Sequence, residues 1–243
     1  MTASLTDRVI IVTGAAGGLG TTLCRVLEQS GALVVATDIA GEGVFLADVR
    51  TDEGNRAIVA EALARHGRID ALALNAGAQF MAPIPEFPLE EWDRLMDVMV
   101  KAPFLAMKHA WPHIARPGGR VVVTASGSTF IAEQYKSAYV AAKHAVAGLV
   151  KVAALEGGPL GMTANAVAPG WMRTPMVERQ LADQMRLHGQ SRQEVIEEMV
   201  DRHPVKRFVE TEEVAQAIAF LCSDAASGIN GTIVPVDLGT IVC

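Results

Sequence analysis

The stretch KSAYVAAKHAV, residues 136–146, sets a phenol and an ammonium four positions apart, at Tyr139 and Lys143. At that spacing the two side chains share one face of a helix. A neighbouring ammonium lowers a phenol's pKa from about 10 and turns tyrosine into a proton acceptor usable near neutral pH. Ser126 lies 13 residues before Tyr139, at the end of an apolar run, and its hydroxyl suits the steadying of a reacting oxygen. Taken alone, the Tyr–Lys pair also fits two surface residues on an amphipathic helix, since such pairs are common. What surrounds them decides.

A second motif lies upstream. TGAAGGLG, residues 13–20, follows the run RVIIVTG and opens a helical pattern. Gly14, Gly18 and Gly20 permit a tight turn and close approach of backbone to a pyrophosphate, with a helix N-terminus behind it. Asp38 ends the next apolar run, where an acid holds the adenosine ribose hydroxyls of a dinucleotide. A carboxylate there repels a 2′-phosphate, and no Arg or Lys follows closely, so NAD is expected rather than NADP. The other readings are an ordinary glycine-rich turn and a solvated strand end. The strand before, the helix after and the acid beyond favour the dinucleotide and, with it, a chemical role for Tyr139 and Lys143.

The elements that must position these groups alternate along the chain. Strands are expected at 8–14, 33–38, 43–49, 70–77, 120–126, 162–170 and 231–238. RVIIV is nearly continuous in apolar residues, as in a parallel strand covered on both faces. Leu19, Leu23, Val26 and Leu27 repeat with helical period before Gly31, and Val214, Ala217, Ile218 and Leu221 do so near the end. This alternation predicts an α/β fold: one doubly wound parallel sheet with helices on both faces, over 1–243 as a single domain. The polar, weakly amphipathic segment 173–206 is expected to form a small helical lid over a site.

The 243 residues are half hydrophobic and one-fifth charged (50% and 20%), which describes a globular chain. The net charge of −6 argues against a nucleic-acid partner or a basic membrane-binding surface. No apolar run reaches membrane-spanning length, and MTASLTDRVIIVTG has no signal-peptide pattern. Cys24, Cys222 and the terminal Cys243 form no metal or disulfide framework and suit a reducing cytoplasm. His109, His113 and His144 have no acid or cysteine cluster beside them and read as surface or packing residues, so no metal is expected. Glu90 and Glu91 open a helix after Pro88, and Trp92 reads as core.

TGAAGGLG, Asp48-Val49, NAG (75–77), Ser126, YVAAK (139–143) and PG (169–170) with Thr174-Pro175 together resemble the short-chain dehydrogenase/reductase family over essentially the whole length. The resemblance implies a Rossmann sheet, a homotetramer, and Ser126, Tyr139 and Lys143 as catalytic residues. It implies that Gly14, Gly18, Leu19, Gly20 and Asp38 meet NAD and that Asp48 and Val49 flank its adenine. Asn75, Ala76 and Gly77 would support the cleft, and Pro169, Gly170, Met172 and Thr174 would meet the carboxamide end, with Tyr139 and Lys143 near the nicotinamide ribose. Within the family, KSAYVAAKHAV, GMTANAVAPGWMRTPMVERQ and FLCSDAAS are similar to the bacterial D-3-hydroxybutyrate dehydrogenases. That closer likeness implies a clamp for a small carboxylate made of Gln79, Lys136, Trp171 and Gln180, and (R)-3-hydroxybutyrate as substrate. Without the likeness, Lys136 reads as a solvated charge and Gln180 as a polar lid residue.

The chain departs from the family in three places. Met99 stands where an Asn usually helps hold a relay water, and methionine cannot make that bond; it reads as core beside Leu95 and Met96. Ser128 stands where the hydroxybutyrate enzymes usually carry a His in the substrate pocket. VDLGT lacks the usual double glycine. Ser128 and the polar lid keep another hydroxy acid, a polyol or sugar acid, or a cyclic alcohol in view. Met99 alone supports a dinucleotide-binding protein with little catalysis.

Overall fold

Apolar alternation lays down the sheet. In β1 (Val9–Thr13), Val9 and Ile11 point to one face and Ile10 and Val12 to the other, and both faces are covered. The same division recurs in β4 (Ala71–Leu74) and β5 (Arg120–Thr124). With β2 (Leu33–Asp38), β3 (Phe45–Leu46), β6 (Thr163–Pro169) and β7 (Ile233–Val236) they form one seven-stranded sheet. Its order is β3-β2-β1-β4-β5-β6-β7 and every pairing is parallel. This is a computed structural model, and it describes residues 4–242; Cys243 lies outside them.

The helices are α1 (Gly18–Gln29), α2 (Asp52–His66), α3 (Leu89–Met96), α4 (Ala102–Ile114), α5 (Ser137–Gly157), α6 (Pro175–His188), α7 (Arg192–Asp201) and α8 (Thr211–Leu221). One core packs α2, α4 and α5 on the sheet, and the other packs α1 and α8. The doubly wound sheet is as expected. Strand order reverses between β1 and β4, and in such sheets ligands bind at that point, outside the C-terminal strand ends.

β3, β4 and β7 fall furthest short of their apolar runs, for local reasons. The run 43–49 pairs only at Phe45 and Leu46, because Gly43 is left-handed before it (φ 71°) and Asp48 turns aside to bind Arg50. β4 stops at Leu74, where the Asn75 and Ala76 N–H groups donate to the Thr13 hydroxyl at 3.0 and 3.1 Å. Around β7, Gly231 (φ 75°) and Leu238 (φ 56°) bend the chain out of the ladder. Leu238 thus adopts, at a strain cost, the backbone that the missing glycine would favour. Asp237 supports the bend by accepting from the Gly239 and Ile241 N–H groups at 3.1 and 3.0 Å.

Two expectations are corrected. Trp92 is exposed on α3, with its ring edge-on to Phe87, because α3 turns only Leu95 fully inward. The helical stretch Ser137–Leu160, which includes α5, is long and apolar enough by composition to cross a membrane. That apolarity serves the core: Ala138, Ala142, Val146, Val150 and Ala153 pack inward from it. Glu90 and Glu91 do occupy the first turn of α3, and Met99 is buried beside Leu95.

Asp70 ties the opposite edge of the sheet. Its carboxylate accepts from Val9 N–H (2.9 Å), Arg68 (2.7 Å) and Arg116. Burial raises its pKa, but these three donors outweigh that and hold it below the usual range. Above the unfolded carboxylate value of about 4 the stabilisation is fully present; it is lost as pH falls through the lower folded value. Asp70→Asn should cost about 2 kcal/mol at pH 7, since both arginines are partly exposed and screened. Urea unfolding of both proteins checks this, and their gap should close on acidification; a gap unchanged at pH 3 contradicts the assignment.

Candidate active site

The glycine turn joins β1 to α1 at the sheet's C-terminal edge. Gly14 is left-handed (φ 66°), and a Cβ there would come within 2.8 Å of the Ala76 backbone. A Cβ at Gly18 would strike Pro175 at 2.9 Å, and one at Gly20 would meet the Gly14 carbonyl at 2.0 Å. Gly14 and Gly18 line the cleft, while Gly20 stays behind the turn and lets helix and strand close-pack. α1 has no acid in its first turn and no side-chain cap, so its N–H groups and dipole face the cleft free for an anion. Asn75 braces the turn by donating to the Gly14 carbonyl (3.2 Å) and accepting from the Thr124 hydroxyl (3.2 Å).

Asp38 sits at the end of β2 on the cleft wall. Its carboxylate accepts from the N–H groups of Ala16 in the turn (3.0 Å) and Ile39 (2.7 Å). Asp48 and Val49 line the same half, and the Arg50 guanidinium holds the Asp48 carboxyl below its usual range. These features fit a dinucleotide: a cradle that admits only glycine, an open helix N-terminus, and an acid one strand away.

β5 ends in Thr124 and delivers Ser126, while α5 presents Tyr139 and Lys143 to the same wall. The Lys143 ammonium donates to the Thr124 carbonyl at 2.7 Å and stands 5.5 Å from the centre of the Tyr139 ring. Burial pushes the Tyr139 phenol up to about 12, although the Ser126 hydroxyl pulls it down and the Glu133 carboxylate adds to the rise. Burial lowers Lys143 to about 8. The expected depression of the phenol is therefore absent: both groups are desolvated, and burial outweighs the Ser126 hydrogen bond. Met99 lies in a π-helical turn, Asp97–Lys101, between α3 and α4, and packs with Leu95, Ala138 and Ala142 against Tyr139. It supplies no polar group there.

On the substrate side, Ser128, Trp171 and Gln180 line the cleft, whose volume is about 680 Å³. Lys136 and Gln79 do not reach its wall. Lys136 is 2% exposed, bonded to Glu133 at 2.9 Å and seated 4.2 Å over the Trp171 ring. Burial drives its ammonium below the usual range, and Glu133 opposes that. Both amide atoms of Gln79 and the Gln180 carbonyl oxygen are buried without a hydrogen-bond partner in the structure. α6 and α7 cover this end. Thr174 caps α6 by accepting from Val177 N–H (3.4 Å). Pro169, Gly170, Met172 and Thr174 line the cleft, and fully buried His203 accepts from Trp171 N–H at 3.3 Å behind them.

The predicted groups thus converge on one cleft, apart from Gly20, Gln79 and Lys136. Sequence reasoning missed Arg94, Glu133 and Arg202 on its wall, as well as Thr240. Glu133 carried one readable signal, its i,i+3 spacing to Lys136.

Comparison with known proteins agrees with this geometry. The family model described as "Enoyl-(Acyl carrier protein) reductase" matches residues 14–240. A D-beta-hydroxybutyrate dehydrogenase of Rhizobium meliloti (strain 1021) is 36% identical, covering 96% of this chain and 98% of that one. A cis-4-hydroxycyclohexanecarboxylate dehydrogenase of Sinomonas cyclohexanicum is also 36% identical, over 96% of each chain. The ligand-free aldohexose dehydrogenase of Thermoplasma acidophilum superposes with a TM-score of 0.92 at 32% identity, covering 100% of this chain and 97% of that chain.

Proposed function

Because the chain belongs to the short-chain dehydrogenase/reductase family, NAD(P)-dependent oxidoreductases that interconvert secondary alcohols and ketones, we propose that it is an NAD-linked dehydrogenase of an uncharged hydroxylated substrate, a cyclic alcohol or polyol. One observation carries the choice of substrate. The ammonium that a carboxylate clamp needs, that of Lys136, is buried and already neutralised by Glu133. With Ser128 in place of an imidazole and Lys143 held on the Thr124 carbonyl, no buried cation among the described residues is left for a small acid, and Arg179 on the cleft wall is exposed. A relative named for cyclohexanol agrees with a neutral ring, whereas the substrate named for the Sinomonas relative is a ring that also carries a carboxylate. The second reading is (R)-3-hydroxybutyrate oxidised to acetoacetate. The unpaired amides of Gln79 and Gln180, together with Lys136 and Trp171, favour it.

In either reading the chain's own groups do the same work. Tyr139 takes the hydroxyl proton of the substrate, Ser126 steadies the oxygen, and Lys143, anchored on the Thr124 carbonyl, brings positive charge beside the phenol. Asp38 receives the adenosine ribose, which selects NAD, and the N-terminus of α1 receives the pyrophosphate. Asp48 and Val49 flank the adenine, and the 170–174 loop meets the carboxamide. The bound nicotinamide supplies the hydride acceptor. Met99 changes how water reaches Lys143 and leaves the Ser–Tyr–Lys set in place. α6 and α7 act as the lid.

The family resemblance proposes a homotetramer, and Phe104, Val152 and Leu155 on α4 and α5 offer exposed apolar surface for it. A cytoplasmic location accords with the free thiols of Cys24 and Cys222, which burial pushes up to about 11 and about 12.

The test follows NADH formation with NAD or NADP on cyclohexanols, cyclohexanediols, sugar alcohols and both enantiomers of 3-hydroxybutyrate. The proposal expects NAD-dependent turnover of neutral alcohols. Strong, stereoselective activity confined to the (R) acid would replace it by the second reading, and tighter use of NADP would remove the role of Asp38.

A further inference from the structure

The loop between Ser126 and Tyr139 carries one carboxylate into the cleft, that of Glu133. Its side chain is 13% exposed. One oxygen accepts from the Ser128 hydroxyl at 2.8 Å and the other from the Lys136 ammonium at 2.9 Å. Arg202, at the end of α7, approaches the second oxygen to 3.6 Å and is itself held by Glu198 at 2.8 Å. A carboxylate offers about four lone-pair sites. Two hydrogen bonds therefore leave acceptor capacity on a group that faces the same cleft as Tyr139.

We infer that Glu133 is a specificity-determining residue that accepts a hydrogen bond from a second hydroxyl of the substrate, a donor that a small carboxylate lacks. This rests on the reading that the cleft oxidises a secondary alcohol. It adds the substrate class, a diol or polyol with a hydroxyl neighbouring the reacting carbinol. A hydroxyl can donate to Glu133. A substrate carboxylate cannot, and it would give up hydration without gaining that bond. The Glu133 charge is itself balanced by Lys136 at 2.9 Å and Arg202 at 3.6 Å, so the discrimination rests on the missing donor.

The experiment compares kcat/KM of the wild type and Glu133→Gln on cis-cyclohexane-1,2-diol, cyclohexanol and (R)-3-hydroxybutyrate, with NAD saturating. Glutamine keeps the shape and one acceptor oxygen and removes the charge. The wild type should favour the diol over cyclohexanol by about tenfold or more. In Glu133→Gln the ratio of diol to hydroxybutyrate should fall by about tenfold or more, through a loss on the diol and a gain on the acid. NADH binding should stay within about twofold and reports folding. A ratio that moves by less than about twofold overturns the role of Glu133, whichever substrate the wild type prefers. Failure of the wild type on every neutral alcohol overturns the functional reading instead. Should Glu133→Gln lose NADH binding, the wild-type comparison decides: a diol preference below about twofold overturns the proposal.

Discussion

Tyr139→Phe should lower turnover by about 10³-fold or more and leave NADH binding within about twofold. The substitution deletes a single oxygen. The ring remains packed against Leu95, Met99, Ala138 and Ala142, so the pocket keeps its shape. What disappears is the proton acceptor. Ser126 does not replace it, because its hydroxyl sits at the start of the turn Gly127–Thr129, where it accepts from the Ser128 N–H at 3.2 Å. Lys143 is held on the Thr124 carbonyl at 2.7 Å. Single-turnover hydride transfer with NAD, beside a fluorescence titration with NADH, separates chemistry from binding. A variant that keeps a tenth of the wild-type rate would remove Tyr139 from the mechanism.

Lys143→Met should cost about 10²-fold in kcat/KM and change the shape of the pH profile. Methionine matches the length and suits the buried site, so folding should survive. Burial takes the lysine down to about 8 and the phenol up to about 12. In the wild type the ammonium is present below about 8 and its help to the phenol fades above that. Alcohol oxidation should therefore rise from acid pH and level off or fall beyond it. The variant has no ammonium to lose, so its much lower rate should keep climbing toward the phenol's own value. NADH affinity should fall as well, since Lys143 lines the cleft and is proposed to stand by the nicotinamide ribose. Identical pH profiles for the two proteins would deny Lys143 its electrostatic role.

Much of this was legible in the residues themselves. Apolar runs such as RVIIV mark the strands because both faces of the sheet are covered, and period alone places them. Tyr139, Lys143 and Ser126 are legible because their types and spacing have a shared chemical purpose. Positions that depend on contacts across the fold were less so. Gly20 appears in a cofactor motif, but its close approach is to the Gly14 carbonyl. Trp92 looks like core by composition, and the tilt of α3 leaves it outside. Glu133 is one acid in a polar loop, and only the folding of that loop against Lys136 and Ser128 gives it meaning. The raised phenol follows from desolvation, which no local spacing encodes.

The α6–α7 hairpin has a small core of its own. Val177, Leu181, Val195, Met199 and Phe208 pack on one another, apart from the two cores on the sheet. Its two stems are stitched together where Val209 N–H donates to the Trp171 carbonyl at 2.9 Å and His203 accepts from Trp171 N–H. A segment built this way melts as a separate cooperative unit, with a free energy of opening below that of the whole chain. Gentle heating or dilute denaturant would therefore first pull Trp171 and Gln180 away from the cleft wall while the Tyr–Lys helix and the glycine turn stay folded. The protein would lose its discrimination between alcohols before it lost its grip on the dinucleotide.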